Sequence, residues 1–381
     1  MSIFSNLGTI WSIVKEVDLG AIRQQALRPP ELVVVGAAES RRNDLAAQLL
    51  QDPARPQDES ILSGPVLDLE EAGPSLKADL ILLVMSAAQT QSPAYKDLVN
   101  GWARSNQRLV VLIDSEQESE SALIARSWSS LGRRKVIIGD VRDIAFLTKS
   151  LAPAVMDLLP DQLMALGRHF PFFRVPAAQR LINETCLTNS TYSFSTGVAE
   201  MVPVLGIPVF MTDMFILTKN QAYLVYKLGL TLGLSTRWQD YLAEFGSVLG
   251  GGFVFRQIAR SLIGLIPGWG ILPKTAVAYS GTFVVGNAVL SWYLSGRHLT
   301  RAQMRELYQR AFTRGKGLAG SLARKAPRPR LRRSAPVVAE VSASQPLRRL
   351  PKRSKLICAQ CGKTSARDAR FCQYCGAALS S

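Results

Sequence analysis

Histidine and cysteine are scarce in this chain. Two histidines, His169 and His298, stand in 381 residues, too far apart in sequence to suggest a metal site or a general base by themselves. Of five cysteines, four crowd the C-terminus and Cys186 stands alone as an inert small apolar residue. That distribution excludes a disulfide-rich secreted scaffold and suits a reducing cytoplasm. Met1 to Trp11 lacks the basic start and small-residue cleavage site of a signal peptide, so any membrane insertion is expected to begin from internal segments. Acidic residues are nearly absent from Arg314 to Lys355, which holds 13 Lys and Arg against the single acid Glu340, so most of the net charge of +16 belongs there. Large apolar residues are also few in that stretch, which predicts a basic, proline-bearing, disordered linker over residues 314–355. Charge of either sign is missing from Thr275 to Gly296, 22 residues bounded by Lys274 and Arg297. As a helix this run would reach about 33 Å, close to the ~30 Å of bilayer hydrocarbon.

What is present divides the chain into blocks. At 47% hydrophobic content the chain can bury the cores of two or three domains. In residues 1–30 the apolar side chains Ile3, Phe4, Leu7, Ile10, Trp11, Val14 and Val17 recur at three- and four-residue steps. This spacing predicts an amphipathic helix, which Pro29 and Pro30 end. Its polar side lacks a run of basic residues, so docking on the protein's own domain is favoured over a lipid surface. From residue 31 to 160 short β-branched runs, Leu32–Val35, Leu80–Met85, Leu109–Ile113 and Val136–Ile138, alternate with polar helical stretches. That is the pattern of a parallel sheet covered by helices. Prolines and glycines between Pro153 and Pro176 mark a hinge. Residues 161–313 then read as helical, with apolar stretches at Met201–Thr218, Gly246–Phe255 and Ser261–Pro273 that contain Pro203, Pro208 and the triple glycine 250–252.

The first strand runs into Gly36-Ala-Ala-Glu-Ser-Arg-Arg-Asn43, aligned with the phosphate loop G-x-x-x-x-G-K-[ST]. Only Gly36 survives. Arg41 replaces the second glycine, Arg42 the lysine and Asn43 the hydroxyl that would hold Mg²⁺. The later strands resemble an Era-like GTPase domain in layout: Ala78–Met85 as the strand after the switch region, Leu109–Asp114 as the strand before the guanine reader, and Val136–Asp140 as the last strand, with a helix over 141–159. Where N-K-x-D should read guanine stand Ile113, Asp114 and Glu116. The resemblance therefore implies a GTPase-like fold without its nucleotide chemistry, although Arg41 and Arg42 at a helix start could attract an anion. An ordinary doubly wound domain is the competing reading.

Ala199–Pro208, Leu217-Thr-Lys-Asn-Gln221, Tyr226–Leu230, Ile266-Pro-Gly-Trp-Gly270 and Tyr279–Gly286 resemble the YcjF-like family of GTPase-associated domains of unknown function, over residues 165 to 298. The resemblance implies membrane association and supplies no catalytic residue. Thr275 to Gly296 carries Ala278, Gly281, Ala288, Ser291 and Ser295 on one side of a helical wheel, a face that would let another helix approach closely. A spanning helix and a buried core helix are both open, the polar residues Ser280, Thr282 and Asn287 favouring the second. With a basic linker after Arg297, a spanning chain is expected to keep both ends in the cytoplasm, to cross an even number of times and to resist alkaline carbonate.

The strongest chemical signal closes the sequence. Cys358-Ala-Gln-Cys361-Gly and Cys372-Gln-Tyr-Cys375-Gly form two C-x-x-C knuckles in residues 356–381. Cys358, Cys361, Cys372 and Cys375 can place four thiolates around a tetrahedral Zn²⁺ with no open position, hence a structural metal and a zinc ribbon. The sequence thus predicts a multidomain protein of α/β plus α class: a degenerate GTPase-like parallel-sheet domain, a helical membrane-associated domain, a basic linker and a C-terminal zinc ribbon. The function expected is a non-enzymatic adaptor or scaffold at the cytoplasmic face of a membrane. Its partners would be lipid and a protein held by the ribbon. No catalytic residue and no small-molecule substrate is identified. A nucleotide-binding switch, and nucleic-acid binding through the basic tail and ribbon, are the alternatives.

Overall fold

The computed structural model describes residues 19–37, 40–52, 66–115, 134–200, 209–238, 240, 271–297, 299–325, 355–357 and 364–366. Residues Met1–Ala326 make one compact unit and Pro327–Ser381 a second. The first unit begins with α1 (Leu19–Leu27), the described part of the expected N-terminal helix. Ala26 is buried there, and Leu19 and Ile22 lean on the core, so this segment docks on its own domain.

Five strands follow: β1 (Leu32–Gly36), β2 (Val66–Asp68), β3 (Leu80–Ser86), β4 (Leu109–Asp114) and β5 (Arg134–Gly139). They pair in the order β2-β1-β3-β4-β5, all parallel. The four strands legible as apolar runs form where expected. The remaining one, β2, is only three residues long and half-buried, too short for a hydrophobic period to reveal. Side chains alternate between the two faces, as the two-residue repeat of a strand requires. Val34, Leu82, Val84, Val110 and Leu112 face one core, whereas Val35, Leu83, Met85, Val111 and Ile113 face the other.

The second face is covered by α3 (Pro93–Arg104), which starts with Pro93 where a missing N–H costs nothing. Its Tyr95, Val99 and Trp102 recur at four- and three-residue steps and bury themselves on the sheet. The first face is covered by α2 (Arg42–Leu50), through Leu45 and Leu49, and by the helices that follow the sheet. Those are α4 (Ala152–Leu158) and α5 (Leu163–His169), then the turn Pro171–Phe173. This stretch, expected to be a hinge, is instead a packed junction: Leu166, Phe170, Phe172 and Phe173 are all buried. Its prolines sit in first turns of short helices, where they punctuate the chain without loosening it. One hydrophobic core therefore runs unbroken from Val34 and Leu82 through Phe172 to Leu290 and Tyr293.

The helical block consists of α6 (Arg174–Glu200), α7 (Val209–Thr231), α8 (Ile271–Ser295) and α9 (Arg301–Lys325). The uncharged run of the sequence is α8, which packs along α6 and α9 and also meets α7. From Thr275 to Leu294 none of its residues is exposed. Its polar side chains are used internally. Ser280 donates to the carbonyl of Ala276, Asn287 Nδ2 to that of Phe283 at 2.8 Å, and Thr282 Oγ1 accepts from Asn189 at 2.8 Å. Among the described residues no helix is long and apolar enough to cross a membrane. Residues 201–208 and 241–270, which hold most of the other apolar stretches, lie outside the described residues.

Helix α9 continues to Lys325, well into the stretch expected to be linker. Met304, Tyr308, Ala311, Gly315 and Ala319 form its buried seam. At Gly315 the two helices come into backbone contact: a Cβ there would lie 2.8 Å from Ala276 Cα. Gly317, two residues on, has nothing within 4 Å of such an atom. Opposite signs follow for the same substitution. Gly317→Ala is expected to stabilise by roughly 0.5–1 kcal/mol, the helix propensity gain. Gly315→Ala is expected to destabilise by roughly 1–3 kcal/mol, since helix backbone must shift. Urea unfolding of the two variants checks this, and stabilisation by both would refute the close contact.

In the second unit, β6 (Lys355–Ile357) pairs antiparallel with β7 (Thr364–Ala366).

Candidate functional site

Because the five strands are parallel, their carboxyl ends share one edge, and between β1 and β3 the connections depart in opposite directions. In open α/β sheets ligands settle in the crevice at such a point. The loop aligned with a phosphate loop lies there, after Gly36. A Cβ on Gly36 would lie 2.7 Å from the carbonyl oxygen of Val84, so packing against β3 requires this glycine with or without a phosphate. The described residues of this loop bond inward. Ser40, almost fully buried, donates to the carbonyl of Ala37 at 2.6 Å, and the Ala37 N–H donates to Tyr95 Oη at 3.1 Å.

The two arginines that displaced the signature residues turn inward. Arg42 Nη1 donates to the Gly36 carbonyl and to the carboxylate of Asp68, at the end of β2. Arg41 Nη1 lies 3.0 Å from Asp114 Oδ2, at the end of β4, and 3.7 Å from Asp140 Oδ1, just after β5. Asp114 also accepts from the Val141 N–H at 3.1 Å, which fixes the carboxylate against the last crossover. Arg41 holds φ at 57°, the left-handed conformation that the missing second glycine would adopt freely. For a residue with a Cβ that conformation costs roughly 1–2 kcal/mol.

Three carboxylates and two arginines thus occupy the ends of β2, β4 and β5 and the loop between them. The Arg42 hydrogen bond holds the carboxyl of Asp68 below the usual carboxylate range, and the Arg142 backbone N–H, followed by its side chain, does the same for Asp140. Both acids are therefore charged at neutral pH. Lowered folded-state values mean that their contribution is present above the ordinary carboxylate range and fades as pH falls through it. With Arg142 paired to Asp140, three arginines balance the three carboxylates, and an entering phosphate would have to compete with these acids for the arginines.

Among the described residues no group of three His, Cys, Asp or Glu is placed to hold a metal ion. Cys358, Cys361, Cys372 and Cys375 lie outside the described residues, while the β6–β7 pairing brackets the segment that carries Cys358 and Cys361. Cys186 is fully buried, with its thiol pushed up to about 12 by desolvation, which makes it inert. Burial also lowers His169, which keeps it neutral, and His298 lies outside the described residues.

The polar residues of the helical block have packing roles. Asn220 Nδ2 donates to Asn189 Oδ1 at 2.7 Å, Asn189 passes a bond to Thr282, and Gln179 Nε2 reaches Asn287 Oδ1 at 3.0 Å. Lys219, Gln221 and Lys227 are half-buried, with the Lys219 ammonium 5.8 Å from the Tyr223 ring centre. Two of the quoted motif residues have packing contacts: Tyr226 Oη donates to the Thr236 carbonyl at 2.7 Å, and Gly286 faces Ile182.

The molecule is of α/β plus α class, a five-stranded parallel sheet whose core is shared with a helical block. No protein-family model and no curated protein matches the chain.

Proposed function

We propose that this protein is a non-enzymatic adaptor: a GTPase-like domain that has lost its nucleotide chemistry, joined to a membrane-associated YcjF-like helical block and a zinc ribbon. The observation that carries this reading is the closure of the crevice at the carboxyl edge, where Arg41 and Arg42 are committed to Asp68, Asp114 and Asp140. A phosphate loop works by offering free backbone N–H groups and a lysine to an anion. Here the Ala37 N–H is taken by Tyr95, and both cations are neutralised by carboxylates. The lysine that would reach the terminal phosphates and the hydroxyl that would hold Mg²⁺ are absent at Arg42 and Asn43.

Titration with fluorescent GTP and ATP in the presence of Mg²⁺ tests the reading. No saturable binding and no turnover above buffer are expected. Mg²⁺-dependent hydrolysis that disappears in an Arg42→Ala variant would establish the nucleotide-switch alternative instead. The zinc ribbon is assigned a structural Zn²⁺ held by Cys358, Cys361, Cys372 and Cys375, because four thiolates saturate a tetrahedral ion and leave no position for substrate. A closed metal module on a basic tether is suited to grip a protein partner.

A further inference from the structure

Helix α9 has two sides with different chemistry. Met304, Tyr308, Ala311, Gly315 and Ala319 bury one side on the block, whereas Arg301, Arg305, Arg310, Lys316 and Arg324 stand exposed on the rest of the circumference. Glu306 is the single acid of the helix and is paired with Arg310 one turn on. That pair is among the most exposed in the molecule, with 72% of the Arg310 side chain open. Lys316 rests 4.8 Å above the Phe312 ring, which keeps its stem on the protein and its ammonium outward. Arg314 is exposed as well, but its guanidinium is engaged with Tyr279 and is left out of this face.

We propose that the outward face of α9 is a docking surface for anionic phospholipid headgroups, an inference that rests on the membrane-associated reading above and names the lipid chemistry it would use. The exposed charges run the length of a helix of 25 residues, roughly 37 Å at 1.5 Å per residue. At about 100° per residue Arg310, Lys316 and Arg324 fall within about 120° of the circumference, so a planar array of phosphates can meet these three at once, whereas a duplex groove curves away from a line of that length. Positions between the basic residues, such as Ala302, Gln309, Thr313 and Gly317, are exposed and carry no aromatic ring. Single-stranded nucleic acid is therefore offered no stacking platform. The helix leads directly into the basic run that ends at Lys355, so the ordered face and the tail carry the same sign. Basic clusters of this kind draw a protein to an anionic leaflet within a Debye length.

The test uses the full chain and sedimentation with vesicles of phosphatidylcholine alone or mixed with phosphatidylserine. Binding to the mixed vesicles only, released by high salt, is expected. Replacing four exposed side chains together, Arg305→Gln, Arg310→Gln, Lys316→Gln and Arg324→Gln, should weaken binding about a hundredfold or more, since each headgroup contact contributes roughly a fivefold factor. Because all four are exposed, the melting curve should be unchanged. A control of equal charge, with Arg328, Arg330, Arg332 and Arg333 changed to Gln, should retain the greater part of the binding. The inference is overturned if the tail control loses as much binding as the helix variant or more, or if duplex DNA at equal phosphate concentration competes the protein off the vesicles. Equal binding to both kinds of vesicle would remove the headgroup assignment and leave membrane association standing. Binding to neither would remove both.

Discussion

Replacing Arg174 by methionine is expected to lower the unfolding free energy by about 3–5 kcal/mol, the loss seen when one partner of a buried ion pair is removed. Arg174 opens α6, and its Nη1 lies 3.1 Å from Asp52 Oδ2, beyond the end of α2. Asp52 is 1% exposed and the Arg174 side chain 16%, so water screens the pair little. The two residues are separated by 122 positions, and the bond ties the sheet to the helical block across their common core. Methionine keeps much of the apolar stem of arginine, so the loss reports the stranded carboxylate more than lost packing. The double variant Asp52→Leu with Arg174→Met should recover most of the loss, because no buried charge is left alone. Urea unfolding followed by circular dichroism measures all three proteins. A single-variant loss below about 1 kcal/mol would place the pair among ordinary surface contacts.

Removing zinc is expected to unfold residues 355–381 while Met1–Ala326 keeps its structure. The described hairpin there has strands of three residues each, and so short a segment cannot bury a core that offsets its own ordering entropy. Metal held by four thiolates supplies about 10–16 kcal/mol of apparent folding free energy in comparable small modules. Metal analysis should find one zinc per chain. With chelator present, four thiols should react with an alkylating reagent while Cys186 does not, since it is fully buried and its thiol is pushed up to about 12. Denaturant should then release the fifth. Four thiols that react freely without chelator, in protein purified with zinc, would show that Cys358, Cys361, Cys372 and Cys375 hold no metal. Structure that persists in a Cys361→Ser chain under chelator would show the same.

The local physics of the chain settled the strands, and its residue identities show which phosphate-loop signature residues are absent. A β-branched run of five or six residues has few alternatives to a buried strand, which is why β1, β3, β4 and β5 were legible within a residue or two. The identities at Arg41, Arg42 and Asn43 likewise argue against phosphate chemistry without any fold, because the reaction needs particular functional groups. Other properties depended on neighbours. The uncharged run at Thr275–Gly296 satisfies the length of a membrane span and the pattern of a core helix equally, and only the arrival of α6, α7 and α9 around it shows how its serines, threonines and asparagine are bonded. The prolines near residue 160 read as a hinge until Phe170, Phe172 and Phe173 are seen to fill the junction. The close approach of α9 to α8 depends on a glycine's fit against Ala276, a contact between positions far apart in sequence. The partners of Arg41 and Arg42 come from the ends of β2 and β4 and the turn after β5, which the parallel order of the strands alone brings to one edge. Periodicity and residue chemistry are local and can be read along a chain, whereas burial and charge pairing are decided by which distant segments meet.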